Sequence, residues 1–337
     1  MNIKRISFIV GILGFAVVGC TNGAPNDNTA TNTGTNIATN ISAESQTSAA
    51  NRKLQTIGVA LGDLGNPFYN AVQKGAETEA KKIGGNIRVN AVSSAFDLNQ
   101  QVNQIENFTA ANTDLIILSA VDKKGVKSVI NQARLAGKVV IAVDSAVDAD
   151  VDAMISSNNT QAGEIACQYI ADRLKGQGSV VILNGTPMDS INQRVSGCEK
   201  LLSKYPNIKL ISKDQNAEGT RDGGLRVMSD LLTTFPKIDA VFATNDQSGV
   251  GADLAARQAR RKEFFIVGVD GSPDATKAME DKDGVFAATA AQNPAEMAQE
   301  AVEIGNDIIQ GKKPESPDIL IPVNLVTRDN LSSYKGW

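Results

Sequence analysis

Five short polar clusters carry the side chains that could do chemistry in this chain. They are Gly65-Asn66-Pro67-Phe68-Tyr69, Asp144-Ser145, Thr244-Asn245-Asp246, Asp270-Gly271-Ser272 and Ala291-Gln292-Asn293. Each offers an amide or a carboxylate, and the first adds two adjacent aromatic rings. Carboxylates and amides can bridge neighbouring hydroxyls with paired hydrogen bonds, while aromatic faces cover the C–H faces of a ring. Such a set suits a neutral, polyhydroxylated ligand. Singly, each cluster has a simpler structural use. Asn66-Pro67 and Asn245-Asp246 can start helices, Asp270-Gly271 can turn, and Phe68 and Tyr69 can be core. Their recurrence at the same end of successive strands is what favours a site.

Those strands alternate with amphipathic helices along most of the chain. Thr56–Leu61 reads as a buried strand, and Pro67–Ile83 as a helix opened by its proline. The alternation continues through strand 87–92, helix 98–110, strand 115–118, helix 126–136 and strand 139–143. A second series begins with a helix over 161–174, strand 180–183, helix 191–205, strand 208–211 and helix 223–233. It ends with strand 240–243, helix 250–260, strand 265–269, helix 273–280, strand 285–289 and a long helix from Pro294 to about Gly311. Such repetition predicts α/β architecture, with two similar Rossmann-like units of parallel strands covered by helices. In open sheets of this kind, ligands sit beyond the carboxyl ends of the strands. No GxGxxG follows the first strand and no P-loop is present, so neither a dinucleotide nor a nucleotide triphosphate is implied.

Composition narrows the function further. There are 33 basic and 37 acidic residues, a net charge of −4, and no histidine. This balance argues against nucleic acid as a partner. Without histidine there is no Ser–His–Asp or Cys–His pair, and the commonest zinc ligand is missing. Neither a cofactor nor a metal is expected, and an enzyme is disfavoured.

The first 50 residues read as export machinery. Lys4 and Arg5 precede an apolar run of 13 residues, Ile6–Val18, too short for the roughly 20 of a membrane-spanning helix. Residues 1–19 read as a signal peptide. Val17-Val18-Gly19-Cys20 resembles the lipobox of bacterial lipoproteins, which makes Cys20 a lipidation site; ordinary cleavage with Cys20 unmodified is the alternative. Residues 20–53, rich in Asn, Thr and Ser, read as a disordered tether. The folded part then lies outside the cytoplasmic membrane, anchored by lipid. In an oxidising compartment, Cys167 and Cys198, on consecutive helices, favour a disulfide over two buried thiols.

Gly65-Asn66-Pro67-Phe68-Tyr69, Val241-Phe242-Ala243-Thr244-Asn245-Asp246, Val267–Asp274 and Ala287–Gln292 resemble, in order, the ribose-type periplasmic sugar-binding proteins of ABC transporters. The resemblance covers Leu54 to about Arg328. It implies two lobes, 54–157 plus 293–322 and 158–292 plus 323–337, joined by a three-segment hinge and closing on a monosaccharide. Phe68 and Tyr69 would stack on the sugar, and Asn66, Asp144, Asn245, Asp270 and Gln292 would bind its hydroxyls. Asn159 either reaches the pocket or stabilises the hinge. The chain departs from the ribose pattern where Ser145 and Asn192 stand in place of arginines, although Arg194 is a possible substitute, and where Gly219 replaces an aromatic. Ribose itself is therefore in doubt, and a hexose or ketose fits as well.

The resemblance further implies a monomeric receptor that hands its sugar to the transmembrane subunits of an ABC permease. A receptor for a chemoreceptor or sensor kinase, taking a sugar or a furanose-like signal, is the alternative. A repressor would need an N-terminal DNA-binding domain where the signal peptide stands. A carboxylate-based glycosidase is the remaining, weaker reading, and would need Asp144 and Asp270 as a catalytic pair.

Overall fold

The computed structural model describes residues 52–337; the stretches read as signal peptide and tether, up to residue 51 and including Cys20, lie outside the described residues. The chain runs β1 (Thr56–Leu61), α1 (Pro67–Ile83), β2 (Arg88–Ser93), α2 (Leu98–Ala110), β3 (Leu115–Leu118), α3 (Lys127–Leu135), β4 (Val139–Val143) and β5 (Ala153–Ser157). It continues as α4 (Asn159–Arg173), β6 (Gln177–Asn184), α5 (Asp189–Leu202), β7 (Asn207–Asn216), α6 (Arg221–Thr234), β8 (Ala240–Ala243), α7 (Asp246–Ala259) and β9 (Phe265–Asp270). Then follow α8 (Pro273–Glu280), β10 (Phe286–Ala291), α9 (Pro294–Ile309), β11 (Asp318–Ile321) and β12 (Asn324–Thr327).

Among the described residues these strands form two six-stranded sheets, in the orders β2-β1-β3-β4-β5-β11 and β7-β6-β8-β9-β10-β12. Strand for strand the two orders match, so β4 and β9 occupy equivalent places. The last strands break the likeness: β11 runs parallel to β5, whereas β12 runs antiparallel to β10. The chain passes between sheets after β5, after β10 and between β11 and β12.

Alternation along each strand loads both faces of its sheet with apolar side chains. Val59, Ile117 and Ile141 meet Val72 and Ala76 of α1 and Met297 and Ala301 of α9. Ala60, Ile116 and Leu118 face Ile105 of α2 and Ile130 of α3. In the second sheet, Val180 and Ile182 pack on α4 and α5, while Val181 and Val241 pack on α6, α7 and α8. Strands buried on both faces must be almost wholly apolar, which explains why they are so plain in the sequence.

Three strand-to-helix turns use one local device. Asn66, Ser272 and Asn293 each cap a helix with the side chain, and proline follows in the first turn. The cap satisfies an orphan backbone donor, and proline supplies a helical φ where no donor is needed. Helix α7 starts at Asp246, one full turn earlier than the apolar period from Val250 indicates, because Asn245 caps it from outside that period.

Helices α4 and α5 meet backbone to backbone. A Cβ on Gly163 would overlap the Arg194 carbonyl oxygen, and one on Gly197 would overlap that of Thr160. Beside this contact Cys167 and Cys198 are joined by a disulfide, with Cα atoms 5.2 Å apart. The pair holds α5 rigidly against α4, and α5 carries the central side chain of the cleft.

Candidate functional site

A cavity lies between the carboxyl ends of the two sheets. Asn66, Phe68, Tyr69, Phe96 and Asp144 line it from the first lobe. Thr186, Met188, Ser190, Ile191, Arg194, Gly219, Asn245 and Asp270 line it from the second. Its volume of about 40 Å³ holds only a few waters, and side chains of the two lobes meet directly around it.

The two acidic residues sit at the ends of the equivalent strands β4 and β9, one in each lobe. Both have backbone angles that side-chain-bearing residues rarely adopt, with φ of 63° at Asp144 and 134° at Asp270. Strain of this kind persists only where the surroundings enforce it, and functional sites are where it collects. Asp144 Oδ2 accepts from Ser119 Oγ at 3.1 Å and Ser190 Oγ at 3.5 Å. Its Oδ1 is buried and accepts no hydrogen bond. Asp270 Oδ1 accepts from Gln292 Nε2 at 2.8 Å, and its Oδ2 from the Asp246 backbone at 3.3 Å.

Arg194 stands between the two carboxylates and is 3% exposed. Its Nη2 lies 3.7 Å from Asp144 Oδ1 and its Nη1 3.5 Å from Asp270 Oδ1. Asn159 Oδ1 accepts from Nε at 2.8 Å, and the Thr244 carbonyl accepts from Nη1 at 2.9 Å. These bonds hold the guanidinium flat and leave it a fixed donor. Asn159 itself does not line the cavity; it lies behind the wall, where its amide oxygen orients Arg194.

Asn192 does not join the cleft. It is exposed, and its amide donates only to the Pro187 carbonyl at 3.5 Å. Two positions along a helix turn a side chain by about 200°, so when Arg194 faces inward Asn192 faces solvent. This corrects its assignment to the ligand. Ser145 and Gln292 are buried but do not line the cavity. Ser145 Oγ lies 2.9 Å from Ser190 Oγ in the opposite lobe, and Gln292 supports Asp270 from behind.

Asn66 and Asn245 line the cavity while also capping their helices. Asn245 accepts from the Ser248 backbone at 3.1 Å and donates to the Gly219 carbonyl at 2.8 Å. Phe68 and Tyr69 are both core and wall. Their rings meet edge-on at 5.3 Å, and Tyr69 Oη lies 3.7 Å from Met188 Sδ across the cleft. Burial first, then the Asp144 charge, push the Tyr69 phenol well above its ordinary range, so it stays a donor.

Sequence reasoning missed Phe96, Ser119 and the start of α5. Phe96 follows β2, has φ of 58° and lies 6.1 Å from the Tyr69 ring. It supplies a third ring from the lobe opposite Gly219. The signal was present, since Phe96 also follows the carboxyl end of a strand. Lys123 pairs with Asp189 at 3.3 Å across the lobes, a contact that no local pattern announces.

Burial above all raises the Asp270 carboxyl to about 6, against the pull of Arg194. Burial and the neighbouring Asp270 charge also raise Asp246 well above its ordinary range; its carboxylate accepts from Ser272 N and Thr289 Oγ1, both at 2.7 Å. A ligand hydroxyl that uses the ionised Asp270 as its acceptor should bind about tenfold more weakly at pH 5 than at pH 7. Folding responds in the opposite sense. A carboxyl raised in the folded state stabilises it fully below its ordinary value of 3.8 and loses that contribution as pH climbs through about 6. Calorimetric titrations and urea melts across this window should therefore diverge; parallel curves would refute the assignment.

A model of the periplasmic binding protein domain matches residues 57–313. The chain belongs to the type I periplasmic sugar-binding proteins. This sugar-binding protein is 33% identical over 284 residues to the ribose import binding protein RbsB of Bacillus subtilis, covering 84% of this chain and 90% of that one. It also resembles the crystal structure of an ABC transporter solute-binding protein from Burkholderia graminis in complex with D-arabinose. That match has a TM-score of 0.78 and 28% identity, over 84% of this chain and 99% of the other. The fructose-binding periplasmic domain of a hybrid two-component system gives a TM-score of 0.77 at 29% identity, over 83% and 92% of the two chains.

Proposed function

We propose that this protein is the exported, lipid-anchored receptor of an ABC importer. It captures a monosaccharide between its lobes and presents it, as a monomer, to the permease. One observation carries the reading: Asp144 and Asp270, from opposite lobes, converge on the single buried Arg194 beneath Phe68, Tyr69 and Phe96. Two acceptors, one flat donor and aromatic walls match the alternating hydroxyls and C–H faces of a sugar ring. A pocket with two carboxylates and one guanidinium would repel a sugar acid or a sugar phosphate.

Closure follows from where the contacts lie. Groups from both lobes reach a bound sugar together only in the closed form, so binding shifts the hinge equilibrium toward closure. The closed form then offers a composite surface to the permease. Lipidation at Cys20 would keep the receptor at the membrane, since two or three acyl chains anchor stably where one does not. Binding rather than turnover is the reading, and no cofactor is called for.

The test is a thermal-shift screen of the purified protein against pentoses, hexoses, ketoses, polyols and amino acids. Binding to the native state alone raises its stability as RT ln(1 + [L]/Kd). A rise with one or two monosaccharides would support the reading. A rise only with amino acids would keep the fold and discard the ligand class. The likeness to the fructose-binding domain of a two-component system gives a second reading, sugar sensing. Loss of sugar uptake on deleting the gene would decide for transport, and loss of sugar-dependent transcription with uptake intact for sensing.

A further inference from the structure

Residues 331–337 run behind the cleft and touch both of its walls. The Trp337 indole N–H donates to the Asp270 carbonyl oxygen at 2.9 Å. The Tyr334 hydroxyl donates to the next carbonyl, that of Gly271, also at 2.9 Å. Both carbonyls belong to the turn in which Asp270 and Gly271 have φ of 134° and 77°. Each carbonyl of this turn thus accepts from an aromatic donor of one short segment, and that of Asp270 also accepts from the Gln292 backbone at 2.9 Å. The Trp337 ring also crosses to the first lobe. It is half-buried against that lobe's core and meets the Phe68 ring edge-on at 6.4 Å. Phe68 and Asp270 both line the cavity.

We infer that Trp337 is a positioning residue for sugar capture: it fixes the Asp270 turn in one lobe and latches that lobe to Phe68 in the other. The inference rests on the receptor reading above and adds a role for a residue that touches no ligand. Two physical effects are separable. The indole N–H adds a second donor to the Asp270 carbonyl, beside the Gln292 backbone N–H, so the turn and its carboxylate keep their aim across the cleft. The ring contact with Phe68 spans the lobes, so it exists in the closed form and is broken on opening. Loss of that contact therefore acts on the closed complex, quickening release and leaving association unchanged. Tyr334 shares the first role only, because its hydroxyl braces the turn without reaching the other lobe.

The experiment uses the purified protein with whichever of D-ribose, D-arabinose, D-fructose and D-galactose gives the largest thermal shift. Stopped-flow binding is compared for wild type, Trp337→Phe, Trp337→Ala and Tyr334→Phe. Trp337→Phe keeps a ring and loses the donor, so affinity should fall about fivefold. Trp337→Ala loses both, and sugar release should quicken at least about tenfold with the association rate unchanged. Tyr334→Phe should weaken affinity without selectively speeding release. Trp337 is the chain's single tryptophan, so wild-type emission should also shift when sugar closes the lobes. Variants that melt lower yet bind and release like wild type would overturn the inference and leave Trp337 a structural residue. A wild-type protein that binds no sugar or polyol of the wider thermal-shift screen would overturn the receptor reading, and this inference with it.

Discussion

Arg194→Ala should destabilise the folded protein by about 3–5 kcal/mol and abolish sugar capture. The guanidinium is buried between two buried carboxylates and donates to Asn159 and Thr244 as well. Removing it leaves two like charges out of water with no cation between them. Asp270, already raised to about 6, would then rise further, and the defect in urea melts should shrink as pH is lowered. Arg194→Lys should recover only part of the loss. An ammonium on a flexible stem can restore charge but cannot meet Asn159, Thr244 and both carboxylates in one plane. A deficit below about 1 kcal/mol for Arg194→Ala at pH 7 would mean that the carboxylates do not depend on it.

Asp144→Ala and Asp270→Ala should each weaken sugar binding by at least about 2 kcal/mol, roughly thirtyfold, because buried hydroxyls lose a charged acceptor. The two variants should differ in what else they disturb. Asp144 Oδ1 accepts no hydrogen bond, so it has an acceptor free for a ligand. Asp270 is engaged by Gln292, Asp246 and Arg194, so its removal unsettles the wall as well as the ligand. Asp144→Asn is the milder control, since it keeps the shape and exchanges a charged acceptor for a neutral one. Isothermal titration of folded variants decides the matter. Wild-type affinity in both alanine variants would mean that the sugar binds elsewhere.

What could be read from sequence divides along a physical line. β3, β4 and β8 are unbroken apolar runs buried on both faces, as is β1 after its first residue, Thr56, and such runs declare themselves without partners. β5, β11 and β12 do not. Ala153-Met154-Ile155-Ser156-Ser157 is mixed and ends in two serines, and Asp318–Ile321 lies between Pro317 and Pro322. These segments are strands only because an existing sheet edge is there to pair with them. The site shows the same division. Residues at strand ends were legible, because the sheet itself puts them at one rim. The choice between Asn192 and Arg194 was not, since it turns on the rotation of α5, which Gly163, Gly197 and the Cys167–Cys198 bridge settle together. The latch formed by Trp337 was equally hidden, because it depends on two lobes meeting.

All three passages between the lobes lie at one margin of each sheet, beside β5 and β11 and beside β10 and β12. The opposite margins, β2 and β7, lie five strand spacings away, roughly 24 Å. The molecule is therefore a pair of jaws with a one-sided fulcrum and a long lever arm. A small rotation at the fulcrum, where backbone angles change little, becomes a large displacement at the tips. Reporter dyes for sugar capture belong at β2 and β7, where travel is greatest. Dyes near β11 and β12 would sit on the pivot and register almost nothing.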